Sequence, residues 1–103
     1  MKGLNTIMLI GHVYNIKTMM SKNDRPITFF TLTTYKQMGE GKDDKPAFHS
    51  CVAYGKLAEF LAMNLQDKAY MYVAGSVDYY DKEGVTKTQI VVSETQFLSA
   101  KSA

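Results

Sequence analysis

The chain is 103 residues long, 46% apolar, with a formal charge of +2 and a single cysteine, Cys51. That length allows one domain, residues 1–103, around a modest core, and a lone cysteine excludes an internal disulfide, as fits a reducing compartment. No apolar run approaches the roughly 18 residues of a membrane span, and Met1 leads into a strand pattern without a signal-peptide h-region, so a cytoplasmic protein with no membrane partner is expected.

In chain order, the first strand is predicted over Thr6–Asn15, with Ile7, Leu9 and Val13 inward and Gly11 interrupting the alternation at a bend or bulge. Residues 16–25 read as a loop, with a turn signal at Ser21–Asp24. Pro26 opens the second strand, Ile27–Lys36, where its missing N–H does least harm. There one parity (Phe30, Leu32, Thr34) is assigned to the core and the other (Phe29, Thr31, Thr33, Tyr35) to the outer face. Residues 37–46, with two glycines, a proline and five charges, are predicted to be the least structured segment, a long hairpin.

Ala47–Leu65 is the most informative stretch. Phe48, Ser50, Val52 and Tyr54 alternate with His49, Cys51 and Ala53 as a third strand, and Gly55 ends that period. From Lys56 the apolar residues Leu57, Phe60, Leu61 and Leu65 recur at helical spacing. A turn at Gln66–Lys68 leads into the fourth strand, Ala69–Asp78, with Met71, Val73 and Val77 inward, Gly75 at a bulge, and Tyr70 and Tyr72 outward. Tyr79–Gly84 reads as the hairpin top, and the fifth strand runs from about Thr86 to Leu98. Five strands with one helix after the third is the layout of an OB-fold, an all-β Greek-key barrel.

Aromatics interleaved with lysines on strand faces and hairpins form the main functional signal. A protein that holds single-stranded nucleic acid without sequence preference needs stacking platforms flanked by cations, each stacked base contributing about 1–3 kcal/mol. Eleven of the twelve basic residues are lysines, Arg25 being the exception, and lysine tracks phosphates rather than reading base edges. Phe48 and Tyr54 share one strand parity and span roughly 20 Å at strand rise. Tyr35, Tyr79, Tyr80 and Phe29 are further aromatic candidates, with Thr31 among the outward hydroxyls. Lys36, Lys42, Lys45, Lys82 and Lys87 lie on or beside the two hairpins, next to acidic Glu40, Asp43, Asp44, Asp81 and Glu83, which weaken both as electrostatic arms. His49 and Cys51 share a face, but no orienting carboxylate or oxyanion site lies nearby, and His12 adds no metal spacing. No catalysis, metal or cofactor is expected.

Three segments carry a resemblance. Val52-Ala53-Tyr54-Gly55-Lys56-Leu57-Ala58-Glu59 resembles the strand-to-helix junction of bacterial single-stranded DNA-binding proteins. Gly3-Leu4-Asn5-Thr6-Ile7-Met8-Leu9-Ile10-Gly11 looks like their first strand, and Phe30-Thr31-Leu32-Thr33-Thr34 like their second. The resemblance covers about Lys2 to Leu98. It implies an OB-fold protein that binds and protects single-stranded DNA without sequence preference in replication, recombination and repair.

It also implies residue roles. Phe48 stands where the family usually has a stacking tryptophan, and Tyr54 where it usually has a stacking phenylalanine. Lys56 matches the junction lysine. A third family tryptophan counts across to Met38, with Tyr35 the nearest aromatic, and a further one falls near Tyr79 and Tyr80. His49 sits where the family has a subunit-contact histidine; Tyr70 and Tyr72 are assigned to the same interface, giving a homotetramer, or a homodimer as fallback. The chain departs from the family in having no tryptophan, in reading Asp67-Lys68 for a Lys-Gly turn, and in stopping after strand five. The chain is then either a DNA-binding core cut from a longer protein or a naturally tailless version, and without the disordered linker and acidic tip no tail-mediated recruitment of protein partners is expected. Two other readings remain: a primosomal-type OB-fold replication protein, and a protein–protein module on an OB scaffold.

Overall fold

The computed structural model of the chain describes residues 3–98. In order, it contains β1 (Ile7–Met20), β2 (Pro26–Lys36), β3 (Lys45–Tyr54), α1 (Gly55–Asn64), β4 (Tyr70–Lys82) and β5 (Val85–Phe97). The five strands close into a barrel in the order β1-β2-β3-β5-β4, so the predicted five-stranded OB-fold with one helix between β3 and β4 is the fold observed. All strand pairs are antiparallel except β3–β5, a short parallel contact that seals the wall at Cys51↔Ile90 and Val52↔Val91.

Closure depends on β1 serving two neighbours. Ile7 to His12 pair with β4, and His12 to Met20 pair with β2. Gly11 lies where the two ladders meet. A Cβ there would stand 2.3 Å from the Thr33 carbonyl oxygen, so glycine allows a strand approach that no side chain permits.

Inside, Val13, Phe30, Leu32, Met71, Val73 and Ile90 form the centre of the core. The helix plugs one end with Ala58 and Leu61, joined by Leu65 just past its last turn. It starts abruptly because Gly55 takes φ +68°, a left-handed conformation that turns the strand directly into the helix. The buried Thr28 hydroxyl donates to the Ala58 carbonyl at 2.8 Å and fastens the helix to β2.

Several local expectations are corrected. β1 does not stop at Asn15: one extra residue between Tyr14 and Lys17 forms a bulge, Asn15 takes φ 56°, and pairing resumes to Met20. Thr33, assigned outward, is buried at 2% exposure, whereas Thr34, assigned to the core, is only half-buried. Phe60 is not core. It stands 47% exposed beside Phe97, ring centroids 6.1 Å apart. The bulge expected at Gly75 does lie in the ladder there, but the extra residue is Ser93 on β5, between the partners of Ala74 and Gly75. Val77 is half-buried. Finally, β4 runs on to Lys82, and the hairpin turns on Glu83 and Gly84 alone, with φ 52° and 80°, as a two-residue turn with both central residues at positive φ requires.

Candidate nucleic-acid interface

Residues directly opposite in a ladder share a face, so the register defines the outer surface of β1, β2 and β3. One row is His12–Thr33–Phe48, joined by Tyr70 of β4, whose ring lies 4.8 Å from His12 at a 37° tilt. The next rows are Tyr14–Thr31–Ser50, then Lys17–Phe29–Val52, then Met19–Ile27–Tyr54. Phe48 and Tyr54 thus stand on one face at opposite ends, 70% and 50% exposed. Between them Thr33 and Val52 are buried although they point away from the barrel interior, so flanking side chains overhang the floor. The Thr33 hydroxyl is buried there without a hydrogen-bond partner.

The charged candidates sit on the hairpins. Register brings Lys36 and Lys45 directly opposite each other at the base of the β2–β3 loop, beside Tyr35↔Pro46, with Tyr35 59% exposed. Two like charges at cross-strand distance repel, and an anion between them relieves the repulsion. Lys56 is exposed next to Gly55 at the start of the helix, immediately after Tyr54. Lys42 lies in the loop, where its N–H donates to the Gly39 carbonyl.

On the β4–β5 arm, Tyr80 faces Lys87 across the ladder, and Lys82 shares their side. Tyr79 is on the other side with Thr88 and Asp81, whose carboxylate accepts from Thr86 at 3.0 Å. A single strand lying on one side of the arm meets Tyr80 and two lysines, or Tyr79 and an acid, but not both tyrosines. Sequence reading missed Lys17 and Met19, which it left in a loop; the only signal was Asn15, a residue that tolerates positive φ.

The residues assigned to subunit contact divide between two surfaces. Tyr70 and Tyr72 lie on the outer face of β4, where Tyr72 pairs with Ile10, and Ile10 and Met8 are 49% and 65% exposed. His49 is on β3, its Nε2 3.0 Å from the Thr34 hydroxyl, and burial lowers its pKa below the ordinary 6.5. Burial also pushes the Cys51 thiol up to about 12, so it is protonated at neutral pH and no nucleophile. Among the described residues no three His, Cys, Asp or Glu side chains gather as metal ligands, and no helix is long and apolar enough to cross a membrane.

Comparison with known proteins agrees with this architecture. The profile of the Single-strand binding protein family matches residues 4–98. Single-stranded DNA-binding protein 1 of Chlorobaculum tepidum is 30% identical over 99% of this chain and 69% of its own length. Single-stranded DNA-binding protein 1 of Xylella fastidiosa is 31% identical over 98% of the chain and 82% of its length. The single-stranded DNA-binding protein of Xanthomonas campestris is 29% identical, with 63% of its length covered. Among solved structures, a Plasmodium falciparum SSB in complex with ssDNA superposes with TM-score 0.82 at 24% identity, over 96% of this chain and 98% of that one, and so shares the fold. With the profile spanning nearly every described residue of a closed five-stranded barrel, the chain belongs to the Single-strand binding protein family.

Proposed function

We propose that single-stranded DNA, the ligand that membership of this family gives the chain, lies across the outer face of β2 and β3 with bases stacked on Phe48 and Tyr54. The observation that carries this reading is the pair of exposed rings on one face, at opposite ends of the outward parity of β3. Stacking is indifferent to base identity, because every base has a π-face. Lys56, the Lys36–Lys45 pair and the Tyr80–Lys87–Lys82 side of the β4–β5 arm neutralise phosphates along the path, with Tyr35 and Thr31 as further contacts. Tyr79 contributes less, for it shares its side with Asp81. The protein is not an enzyme; it holds and protects the strand.

The apolar outer face of β1 and β4, with Met8, Ile10, Tyr70 and Tyr72, supports assembly into a homotetramer, or a homodimer as fallback, because patches of this kind mark partner surfaces; His49, on a different surface, supplies a separate contact in that assembly. The 103 residues act as one cytoplasmic, nucleoid-associated binding domain in replication, recombination and repair.

Fluorescence anisotropy of end-labelled oligo-dT tests the ligand. Tight binding is expected that duplex DNA fails to displace, with log affinity falling linearly against log salt at about −0.7 per neutralised phosphate. Indifference to single strands at low salt would contradict the reading.

A further inference from the structure

Helix α1 has two apolar faces, and the barrel uses one. Ala58 and Leu61 are buried in the core, as a helix closing one end of a barrel requires. Phe60 and Met63, three residues apart and so on one face, are 47% and 83% exposed. Phe97 extends their patch, its ring centroid 6.1 Å from that of Phe60, and Leu98 beside it is 41% exposed. Neither the core nor the Phe48–Tyr54 face uses these side chains. The exposed charges along and just past the helix are balanced, with Lys56 and Lys68 against Glu59 and Asp67. Their placement is the reverse of what an isolated helix favours: Lys56 is in the first turn with no acid, and the last turn holds no base.

We infer that, in the protein free of DNA, this helix face pairs with the same face of a second copy. A two-fold axis sets the two helices antiparallel, so the start of each lies by the end of the other. In the register that places Phe60 against Met63 of the second copy, two such contacts form at once, and a thioether on an aromatic ring is favourable. The same register carries Lys56 to Asp67 of the other copy, which supplies each helix end with the charge it lacks. Glu59 and Lys68 then fall opposite the uncharged Asn64 and Gly55, so no like charges meet. A strongly acidic or basic partner would instead be opposed by half of the rim. Four apolar side chains with this rim fall short of the about 20–30 residues a side of a standard interface, so the contact is weak and reversible. It is separate from the β1–β4 face of Met8, Ile10 and Tyr72, and does not depend on where the single strand lies.

Sedimentation velocity without DNA tests the pairing. The sedimentation coefficient of the parent is expected to rise between about 10 and 500 µM protein, the range of a weak contact. Assembly through the β1–β4 face sets its value at the dilute end and is the same in every variant. Phe60→Ser and Met63→Ser are each expected to weaken the association about tenfold or more, because a two-fold contact loses each change twice. Lys56→Glu and Asp67→Lys are each expected to remove the rise at low salt, since each sets like charges together at both ends. An equimolar mixture of these two variants is expected to regain it, because a mixed pair again opposes unlike charges at both ends. The mixture decides the matter if a serine variant unfolds, for both of its chains keep Phe60 and Met63. A parent coefficient that stays flat, a rise unchanged by Phe60→Ser, or a mixture no better than its components overturns the pairing.

Discussion

Replacing Phe48 or Tyr54 with alanine is expected to weaken oligo-dT binding about 5- to 150-fold each, with little change in folding. The magnitude follows from the loss of one stacked base, about 1–3 kcal/mol, and about 1.4 kcal/mol per factor of ten. The stability expectation follows from exposure: both rings stand mostly in solvent, and neither belongs to the core cluster. Phe48 is the cleaner test, because Tyr54 also precedes the Gly55 turn into the helix. The salt slope separates stacking from charge. Removing a ring lowers affinity at every salt concentration and leaves the slope alone, whereas removing a lysine changes the slope. Anisotropy titrations at three ionic strengths, with thermal unfolding of each variant as the folding check, read both quantities. Parent-like affinity in both alanine variants would place the strand elsewhere.

The second large effect is on the barrel itself. Gly75→Ala is expected to destabilise the protein by about 3 kcal/mol or more, lowering the midpoint of thermal unfolding by about 10–20 °C at fixed protein concentration. A Cβ at Gly75 would stand 2.0 Å from the Val91 carbonyl oxygen and 2.9 Å from its carbon. Those atoms are backbone, so no rotamer change relieves the clash. At this point β4 is paired on both sides, with Ile7 of β1 and Val92 of β5, and moving it away from one neighbour disrupts the other. The Ser93 bulge makes the approach this close. It reverses the parity of β5, allowing Ile90 and Val92 on one side of it and Phe97 on the other to pair with inward residues of β4. Gly84→Asn is the contrasting variant. Gly84 has φ +80° with nothing within 4 Å of a Cβ, and asparagine tolerates that conformation, so its midpoint should hardly move. Circular dichroism melts of the two variants check the contrast, and a Gly75→Ala midpoint as high as that of Gly84→Asn would contradict the packing argument.

The folding rules that made the barrel legible are the ones that hide its details. Alternation in β2 and β3, the break at Gly55 and the helical spacing of Leu57, Leu61 and Leu65 are local signals, and each led to the element observed. Bulges are not local in that sense. At Asn15 and Ser93 the period of two skips a step, so parity carried along the chain fails beyond each bulge, and the β1 expected from alternation ends at Asn15. Tyr79-Tyr80-Asp81-Lys82 has no alternation at all, because the arm beyond the barrel has solvent on both sides; only the two-residue turn fixes it as strand. Thr33 is outward by parity yet buried, in a row between His12 of β1 and Phe48 of β3, and no window of β2 contains that information.

The candidate site divides in the same way. Phe48, Tyr54 and Lys56 were legible because they surround one junction in the sequence. The Lys36–Lys45 pair and the alignment of Tyr80 with Lys87 are products of register, fixed by turn geometry rather than by composition. The same register separates Tyr79 from Tyr80, which stand side by side in sequence and on opposite sides of the arm.

Photo-cross-linking of 5-bromo-deoxyuridine-substituted single strands, with the linked peptides mapped by mass spectrometry, tests the central claim most directly, because it reports which residues lie against the bases. Linkage is expected at Phe48 and Tyr54, and to Tyr80 rather than Tyr79 on the β4–β5 arm. Linkage instead at Phe60 and Met63 of the helix, or at Tyr72 on the β1–β4 face, with none at Phe48 or Tyr54, would contradict the account.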